Sequence, residues 1–414
     1  MSSETPTLAR SGQAPGGHAD AGEPHSDIVY PDAIPFAIIH LAALGVLWSG
    51  FTVTSVVMCV TLYLVRMWAV TAGFHRYFAH RSYKTSRGFQ FFLAFLGQTS
   101  AQRGVLWWSA IHRHHHRHSD TPQDVHSPRH EGFFFSHVGW IFSKRKSRAD
   151  YSTVQDLAQY PELRWLDEHP YLPAAALGVG CYLFAGWPGL FVGFILSTVI
   201  LYHCVFSINS LAHVVGNQRY VTADDSRNNW WLAIITLGEG WHNNHHRYQS
   251  STRQGFFWWE VDISYYVLKV LFWAGLVRDL RAPPKALLAG EIRLGRKVVE
   301  QVAREVAESF PVEHIARELK AASDRRPGLA ELKVRLAHTR LEAAASLQRA
   351  REEAVAYLRE VHLPEIPSLS EIRGRIAEQY HDSPSMDDIA LRAREILLER
   401  LCYLLGPELL PSPS

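Results

Sequence analysis

Two long uncharged stretches dominate the pattern of apolar and polar positions along this chain. No Asp, Glu, Lys or Arg occurs from Ala33 to Val65 or from Tyr171 to Gln218. A helix crosses the hydrocarbon core of a bilayer in about 20 residues, so each stretch is long enough for two crossings. Polar or turn-forming residues divide the stretches at Trp48-Ser49-Gly50 and at Gly186-Trp187-Pro188-Gly189. The pattern predicts an all-α integral membrane protein with four transmembrane helices in two hairpins, near residues 34–50, 52–73, 171–186 and 189–209.

The charged segments fall on one side of the membrane if both stretches are hairpins. The Lys- and Arg-rich side of a membrane protein faces the cytoplasm, so both termini are expected there, at a bacterial inner membrane or an ER-like membrane. Arg66 lies near the end of the second span, where its side chain can snorkel or face protein. The apolar segment Phe89–Ala101 is too short to cross, and we expect it in or near the membrane interface. Buried helices of a large soluble protein are the alternative.

Two polar regions flank the predicted membrane domain, residues 31–282. Residues 1–30 are rich in Ser, Gly, Pro and Ala and bury too little apolar surface to offset the entropy of ordering, which predicts a disordered arm. Residues 283–414 alternate charged and apolar positions at three-to-four spacing, with breaks at Pro311, Pro327 and Pro364–Pro367. This pattern is typical of amphipathic helices. We expect them to pack on each other or on the membrane domain; a dedicated docking module is the alternative.

Composition excludes several classes of protein. The 414 residues include 42 Lys and Arg against 40 Asp and Glu, a net charge of +2, which argues against a nucleic-acid-binding protein. Four scattered Cys without a C-x-x-C pair exclude a disulfide framework and a metal–thiolate site. The mean hydropathy of -0.10 is that of an ordinary soluble protein, but it averages a strongly apolar membrane region with a polar arm and a polar tail.

Histidine is the residue whose distribution points to chemistry. Five of the 23 His lie between His112 and His118, and a second box follows at residues 242–246. Positions i, i+3 and i+4 share one face of an α-helix. The sequence therefore predicts that the histidines of each box converge on one point, while His114, at i+2, points away. The converging residues are His112, His115 and His116 in the first box and His242, His245 and His246 in the second.

A third pair, His75 and His80, has a different spacing. Residues five apart lie about 140° apart on an ideal α-helix, so this pair is expected at the cytoplasmic end of the second span and not within one regular helix. Eight clustered histidines exceed the four ligands of one zinc ion and suit two six-coordinate ions. Imidazole suits iron, zinc, copper and nickel. Asn209 and His213, at i and i+4, aim at the same region, although a capped helix end accounts for them equally well.

These motifs resemble those of a known family. The boxes H-x-x-x-x-H, H-x-x-H-H and H-x-x-H-H, with two hydrophobic hairpins, resemble the membrane fatty-acid desaturases, specifically the acyl-CoA Δ9 (stearoyl-CoA type) branch. The resemblance covers about residues 33–282. The strings that carry it are Thr71-Ala72-Gly73-Phe74-His75-Arg76, His80-Arg81-Ser82-Tyr83, Gly132-Phe133-Phe134-Phe135-Ser136-His137-Val138-Gly139-Trp140, Asn209-Ser210-Leu211-Ala212-His213 and Gly238-Glu239-Gly240-Trp241-His242-Asn243.

The resemblance implies a centre of two Fe2+ ions that uses O2 as co-substrate to form a double bond in an unactivated acyl chain. Redox-active iron fits this chemistry and zinc does not. The implied ligands are His75, His80, His112, His115, His116, His213, His242, His245 and His246, with Asn209 holding a metal-bound water. His114 and His118 fall at positions that the family does not use.

The resemblance also implies contacts to a long-chain acyl-CoA. Trp140 and Phe206 are expected in the wall of an apolar tunnel, although Phe206 stands where the branch commonly has Trp. Gln102 and Trp108 match positions near the thioester end. Arg113, Lys144 and Arg145 are candidates for the charged end, although membrane anchoring accounts equally well for the basic run at Lys144. An acyl-lipid substrate remains open.

The electron donor is expected to be a separate protein, a ferredoxin or a cytochrome b5 with its reductase, because residues 281–414 contain no His-Pro-Gly-Gly haem motif. Two other functions stay open at this point. One is a fatty-acid hydroxylase or alkane monooxygenase with the same metal, which inserts oxygen. The other is a non-enzymatic metal- or haem-binding membrane protein.

Overall fold

The computed structural model describes residues 30–324, 366–380 and 383–405. The predicted disordered arm lies outside these residues except for Tyr30, as do the predicted breaks at Pro327 and Pro364. The described residues are mostly helical, as predicted, and the strands Lys84–Thr85 and Val277–Arg278 pair antiparallel.

The α-helices fall into an N-terminal and a C-terminal set. Before residue 170 they are Tyr30–Ala42, Val46–Ser49, Val53–Trp68, Arg87–Gln98, Val105–His118, Pro128–Glu131, Phe133–His137, Gln155–Ala158 and Pro161–Glu168. After it they are Leu172–Pro188, Ser197–Asn209, Trp230–Ile235, His242–Arg247, Ile263–Trp273, Lys285–Leu288, Arg296–Glu308, Val312–Asp324, Leu369–Gln379 and Met386–Leu405. Two π-helices, Ala69–Ala79 and Gly189–Leu196, continue the apolar helices, and 3-10 turns occur at Ala43–Gly45, Gly139–Phe142, Tyr151–Val154 and Leu211–His213.

Two helices in the described residues are long and apolar enough to cross a membrane. They are Val53–Ala79, with 27 residues, and Leu172–His213, with 42 residues. The first begins at a capping box in which the Thr52 hydroxyl accepts from the Ser55 backbone N–H at 3.1 Å. It ends six residues beyond the predicted limit of 73. Two apolar helices are shorter, Ile34–Ser49 and Ile263–Trp273, and the second of these was not predicted.

The longer apolar helix reverses within its length. Ala185 and Gly186 leave helical backbone angles, and Gly186 has a φ of 64°, a conformation that glycine adopts without steric cost. The two halves then pack together, since a Cβ on Gly178 would lie 3.1 Å from the ring of Phe194. The turn falls at the start of the Gly186–Gly189 break that the sequence indicates.

Arg66 faces protein instead of snorkelling. Its side chain is fully buried, and its guanidinium donates to the hydroxyls of Thr198 at 2.6 Å and Ser197 at 2.5 Å. A charge inside an apolar helical layer needs such polar partners. The contact ties the helix Val53–Trp68 to the second apolar segment. Nearby, the helix Arg87–Gln98 exposes an aromatic face of Phe91, Phe92 and Phe95.

The π-helix Ala69–Ala79 explains the five-residue spacing of His75 and His80. Hydrogen bonds in a π-helix run from residue i to residue i+5, and here the His80 N–H donates to the His75 carbonyl at 3.1 Å. The wider turn brings the two ring centroids to 4.8 Å. The pair therefore does not lie in a regular α-helix, in agreement with the prediction from its spacing.

Four described helices, Arg296–Glu308, Val312–Asp324, Leu369–Gln379 and Met386–Leu405, share a core of their own. Val302 and Val306 of the first helix and Leu397 of the last are buried in it. One residue of the upstream domain, Val221, joins this core and is 3% exposed. The amphipathic pattern of the tail thus forms packed helices that are also attached to the membrane-proximal domain.

Candidate metal centre

Nine histidines meet in two groups, and His75 and His213 come from the ends of the two long apolar helices. In each group one nitrogen per ring lies within 4.8 Å of the others. The five-histidine group contains His75, His80, His112, His116 and His245, and the four-histidine group contains His115, His213, His242 and His246. These are the nine histidines that the sequence singles out.

The division of each box between the groups corrects the prediction that its three histidines converge on one point. His112 and His116 are one turn apart, with their Nε2 atoms 3.0 Å apart, and stay together. His115, at i+3, is rotated off that line and enters the other group. The second box splits in the same way, because His242 and His246 stay together whereas His245 belongs to the five-histidine group.

The five-histidine group fits a cation better than it fits hydrogen bonding. Its Nε2 atoms follow one another at 2.8 to 3.0 Å, from His75 through His245, His116 and His112 to His80. A neutral imidazole has one N–H, so a nitrogen placed between two others cannot serve both with good geometry. A cation accepts all five lone pairs at once.

The four-histidine group also carries an unsatisfied nitrogen. Nε2 of His246 is buried and has no hydrogen-bond partner among the described residues. Buried polar atoms without partners are rare and call for a ligand or water. Burial, reinforced by the neighbouring rings, lowers the pKa of both His242 and His245 well below its usual value. These imidazoles are therefore neutral, the state that binds a metal ion.

Three histidines of the four-histidine group are held from behind by carboxylates. The pairs are His115 with Asp124 at 2.9 Å, His213 with Asp120 at 2.7 Å and His246 with Asp224 at 2.7 Å. In each pair Nδ1 faces the carboxylate, which fixes the tautomer that turns the Nε2 lone pair toward the group. Burial alone would raise the pKa of Asp124, but the facing His115 lowers it below its ordinary value, so this carboxylate stays charged.

The five-histidine group has one carboxylate behind it. Glu239 contacts Nδ1 of His75 and also accepts from Arg76 at 3.0 Å. Arg76 is 1% exposed and pairs on its other side with Asp262 at 2.9 Å. Nε2 of Gln254 lies 3.2 Å from the same Nδ1 atom of His75. The buried Arg76 thereby fixes the position of Glu239.

Sequence reasoning missed these carboxylates and His126. His126 packs on His115 with ring centroids 4.4 Å apart, and burial lowers its pKa to about 3. Asp120 and Asp124 follow the first box closely, so proximity to a metal box was an available signal. Asp224 stands in a polar loop far from any motif and gave none.

Two cavities adjoin the histidine groups and meet at Asn209. The smaller, about 460 Å³, is lined by His75 and His112 of one group and by His115 and His242 of the other. The larger, about 750 Å³ and partly open to solvent, is lined mainly by aromatic and apolar side chains. Four predicted substrate residues line the larger cavity: Gln102, Trp108, Trp140 and Phe206. An apolar cleft therefore leads to the predicted metal ligands.

Arg113 does not have the role that the resemblance implies. Its guanidinium donates to both oxygens of Asp156, at 2.7 and 3.0 Å, and to the carbonyls of Phe78, Ala79 and Thr153. A guanidinium has five N–H groups, and all five are used. The structure thus contradicts the prediction that Arg113 binds the charged end of a substrate, because no N–H remains for a phosphate.

The basic run after Trp140 divides in two. Lys144 and Arg145 are exposed, whereas Lys146 turns inward, where it donates to the Asp124 carbonyl at 2.5 Å and pairs with Glu131 at 3.2 Å. Ile141 lines the larger cavity, and Lys144 and Arg145 come three and four residues after Ile141 in the sequence. The rings of His114 and His118 contact each other at a tilt of 37°, with centroids 4.6 Å apart, outside both groups.

Replacing Asp124 by Asn is expected to lower the affinity of the four-histidine group for a divalent metal by about 10- to 100-fold. The reason is that the Asp124 carboxylate orients His115 and raises the basicity of its imidazole. Metal titration of the purified protein measures the change. Asp150→Asn is the matched control, since Asp150 is exposed and caps Ser152 at 3.0 Å, a role that Asn can also fill. Unchanged metal affinity in the Asp124 variant would contradict the orienting role.

Comparison with known proteins places these features in context. A profile of the fatty acid desaturase family matches residues 51–276. An "acyl-CoA C20 Delta5-desaturase" of Anemone leveillei is 37% identical over 260 residues, which are 60% of this chain and 82% of the relative. An "sn-1 stearoyl-lipid 9-desaturase" of Synechocystis sp. is 36% identical over 259 residues, 62% of this chain and 81% of the relative. A "Delta-9 acyl-lipid desaturase 1" of Arabidopsis thaliana is 35% identical over 240 residues, 57% of this chain and 78% of the relative.

Proposed function

Because this chain belongs to the fatty acid desaturase family, we propose that it is an O2-dependent desaturase that introduces a cis Δ9 double bond into a saturated long-chain acyl group carried as acyl-CoA. One observation carries the proposal. Two histidine groups lie beside an apolar cleft, and Asn209 lines both this cleft and the smaller cavity next to the groups. That arrangement is suited to holding a methylene chain beside a metal centre.

Two Fe2+ ions are the proposed occupants, one for each histidine group, with Asn209 holding a water. When bound, iron supplies the redox chemistry that activates O2 for removal of hydrogen from an unactivated methylene. The donor set supports this choice, since neutral imidazoles backed by carboxylates suit a redox-active transition metal. The nine histidines would be the ligands.

The overall reaction requires reductant from outside. Two C–H bonds of the acyl chain are broken and one C=C bond forms, which releases two hydrogens with their two electrons. Two further electrons and two protons complete the reduction of one O2 to two waters. We propose a separate ferredoxin or cytochrome b5, with its reductase, as the source of these electrons.

The chain's own side chains position the substrate and exclude water. Trp140 and Phe206 are buried walls of the cleft, at 6% exposure each. Trp108 connects the cleft to the metal centre, because its ring stacks on His112 at 4.9 Å while its Nε1 donates to Gln102 at 3.4 Å. A rigid aromatic wall holds an acyl chain in one conformation, and the pattern of lining residues therefore determines which C–C bond faces the groups.

The proposal includes a multi-pass membrane topology. Four spans with the histidine groups on the cytoplasmic side agree with the charge pattern, and the reversal at Gly186 gives the second apolar helix the form of a hairpin. Ile34–Ser49 would be the first span and Val53–Ala79 the second. The exposed aromatic face of Arg87–Gln98 is suited to the interface, where aromatic rings concentrate.

Expression in a host that lacks unsaturated fatty acids tests the function. We expect monounsaturated products two mass units lighter than their saturated precursors, with the double bond at carbon 9. Products sixteen mass units heavier would identify a hydroxylase, and no product with intact iron sites would favour a metal-binding protein without this activity.

The form of the substrate is tested with purified enzyme given stearoyl-CoA or a stearoyl phospholipid under the same reductant supply. We expect turnover of the acyl-CoA. We also expect Lys144→Gln with Arg145→Gln to raise KM for acyl-CoA several-fold without changing kcat, because the two exposed cations attract the nucleotide phosphates. Preferential turnover of the phospholipid would overturn the acyl-CoA assignment and leave the desaturase assignment standing.

A further inference from the structure

The segment 217–228, called here the carboxylate loop, supports two residues of the four-histidine group. Asp224 holds Nδ1 of His246 at 2.7 Å. The backbone N–H of Asp225 donates to Oδ2 of Asp120 at 2.8 Å, and the same oxygen holds Nδ1 of His213 at 2.7 Å. A displacement of this loop therefore moves the partners of both rings.

The C-terminal helices clamp the carboxylate loop at three points. Val221 inserts into the core of the tail. Gln301, on the helix Arg296–Glu308, donates to the Ala223 carbonyl at 2.5 Å. Arg129 bridges the two parts, with Asp225 at 2.5 Å on one side and Glu305 at 2.9 Å on the other. These contacts flank Asp224 in the sequence on both sides.

We propose that the C-terminal helices are a positioning element for the four-histidine group, acting through the carboxylate loop. The proposal rests on the metal centre of the proposed function and assigns a role to a region outside the family match, which ends at residue 276. The tail acts on metal retention and orientation and contributes no ligand among its described residues.

The effect is greater at one of the two groups. The five-histidine group takes its support from Glu239, Gln254 and Arg76. None of these side chains makes a hydrogen bond or ion pair with the described tail residues, whereas Ala223 and Asp225 on the loop have tail or bridging partners. The loop also bonds to Asn243 and Asn244 on the helix that carries histidines of both groups. Loosening the tail contact therefore weakens the four-histidine position more than the five-histidine position, whereas a general loss of stability would affect both equally.

The test uses the full-length, iron-loaded protein and variants of the tail helix. Gln301→Leu removes the hydrogen bond to the Ala223 carbonyl, and the double variant with Glu305→Gln also removes the ion pair with Arg129, while both substitutions keep the size of the side chains and leave Val221 in place. Arg304→Gln is the matched control, since Arg304 lies on the same helix and pairs only with Glu300 at 3.0 Å in the described residues. The measurements are iron content during exposure to a chelator, the Mössbauer spectrum of the retained iron, and amide hydrogen exchange of residues 217–228.

For the double variant we expect one of two irons to be lost about 10-fold faster than from the parent, the size of effect seen when second-shell support is disturbed. One Mössbauer component should decline, and deuterium uptake should rise in residues 217–228. The Arg304 variant should match the parent in all three. Equal loss of both irons, or unchanged exchange in the loop, would overturn the proposal. A parent protein that binds no iron would instead refute the metal centre, while the exchange data would still report the contact between tail and loop.

Discussion

Replacing His115 by Ala is expected to abolish double-bond formation, with a fall in unsaturated product of at least about 100-fold. The side chain is 2% exposed, belongs to the four-histidine group and is oriented by Asp124 at 2.9 Å. Disturbing a residue that only orients a metal ligand costs about 10- to 100-fold in metal affinity or activity, and removing the ligand itself costs more. The variant also leaves the buried Asp124 without the imidazole that it faces.

His118→Ala is the matched control, since it removes the same side chain from the same helix. The ring of His118 contacts the ring of His114, with centroids 4.6 Å apart, and His118 belongs to neither group. Gas chromatography of total fatty acids from the expression host gives the product yield, and immunoblotting of membranes gives the amount of protein. Full activity in the His115 variant, or equal loss in both variants at equal protein levels, would contradict the assignment of His115 as a ligand.

Replacing Arg76 by Met is expected to lower the free energy of unfolding by about 3–5 kcal/mol, because it leaves two buried carboxylates without their counter-ion. Arg76 pairs with Asp262 at 2.9 Å and with Glu239 at 3.0 Å, and all three side chains are buried. Met keeps much of the side-chain volume and of the helix propensity of Arg, so the loss of stability reports the removal of the positive charge. Denaturant titration of the detergent-solubilised protein measures it.

Arg87→Met provides the comparison for that experiment. Arg87 makes a well-formed pair with Glu162 at 2.7 Å, but its side chain is 64% exposed. Exposed pairs contribute about 0–1 kcal/mol, so this variant should unfold close to the parent. A similar small change in both variants would show that the Arg76 network is not a main support of the fold.

The sequence was sufficient to find the nine clustered histidines, but it did not predict which of the two groups each histidine joins. Helical spacing correctly put His112, His115 and His116 on one side of their helix. The division depends on which neighbouring element meets each ring. His116 meets His245, at 2.9 Å between Nε2 atoms, whereas His115 lies beside His213 and His246. Spacing within one helix contains no information about those partners, which lie far away in the chain.

The same limit applies to polar side chains with distant partners. The sequence predicts that Arg113 is a cation available to a substrate, but in the folded chain its guanidinium donates to Asp156 and to three backbone carbonyls. Asp224 reads as a loop residue, but it orients His246. Hydropathy was more informative for the long apolar helices, because their character comes from composition over a whole segment. It missed Ile263–Trp273, whose 11 residues are fewer than a crossing needs.

The π-helix Ala69–Ala79 closes its hydrogen bonds over five residues, where an α-helix closes them over four. In a plain α-helix, two rings meet on one face when they are four residues apart. Here the histidine spacing matches the wider turn, so that His75 and His80 face the same group. The position of the two rings therefore depends on the pitch of the backbone and on the histidine spacing together. An insertion or deletion between Ala69 and His80 would alter the register of the centre even if it left every histidine in place.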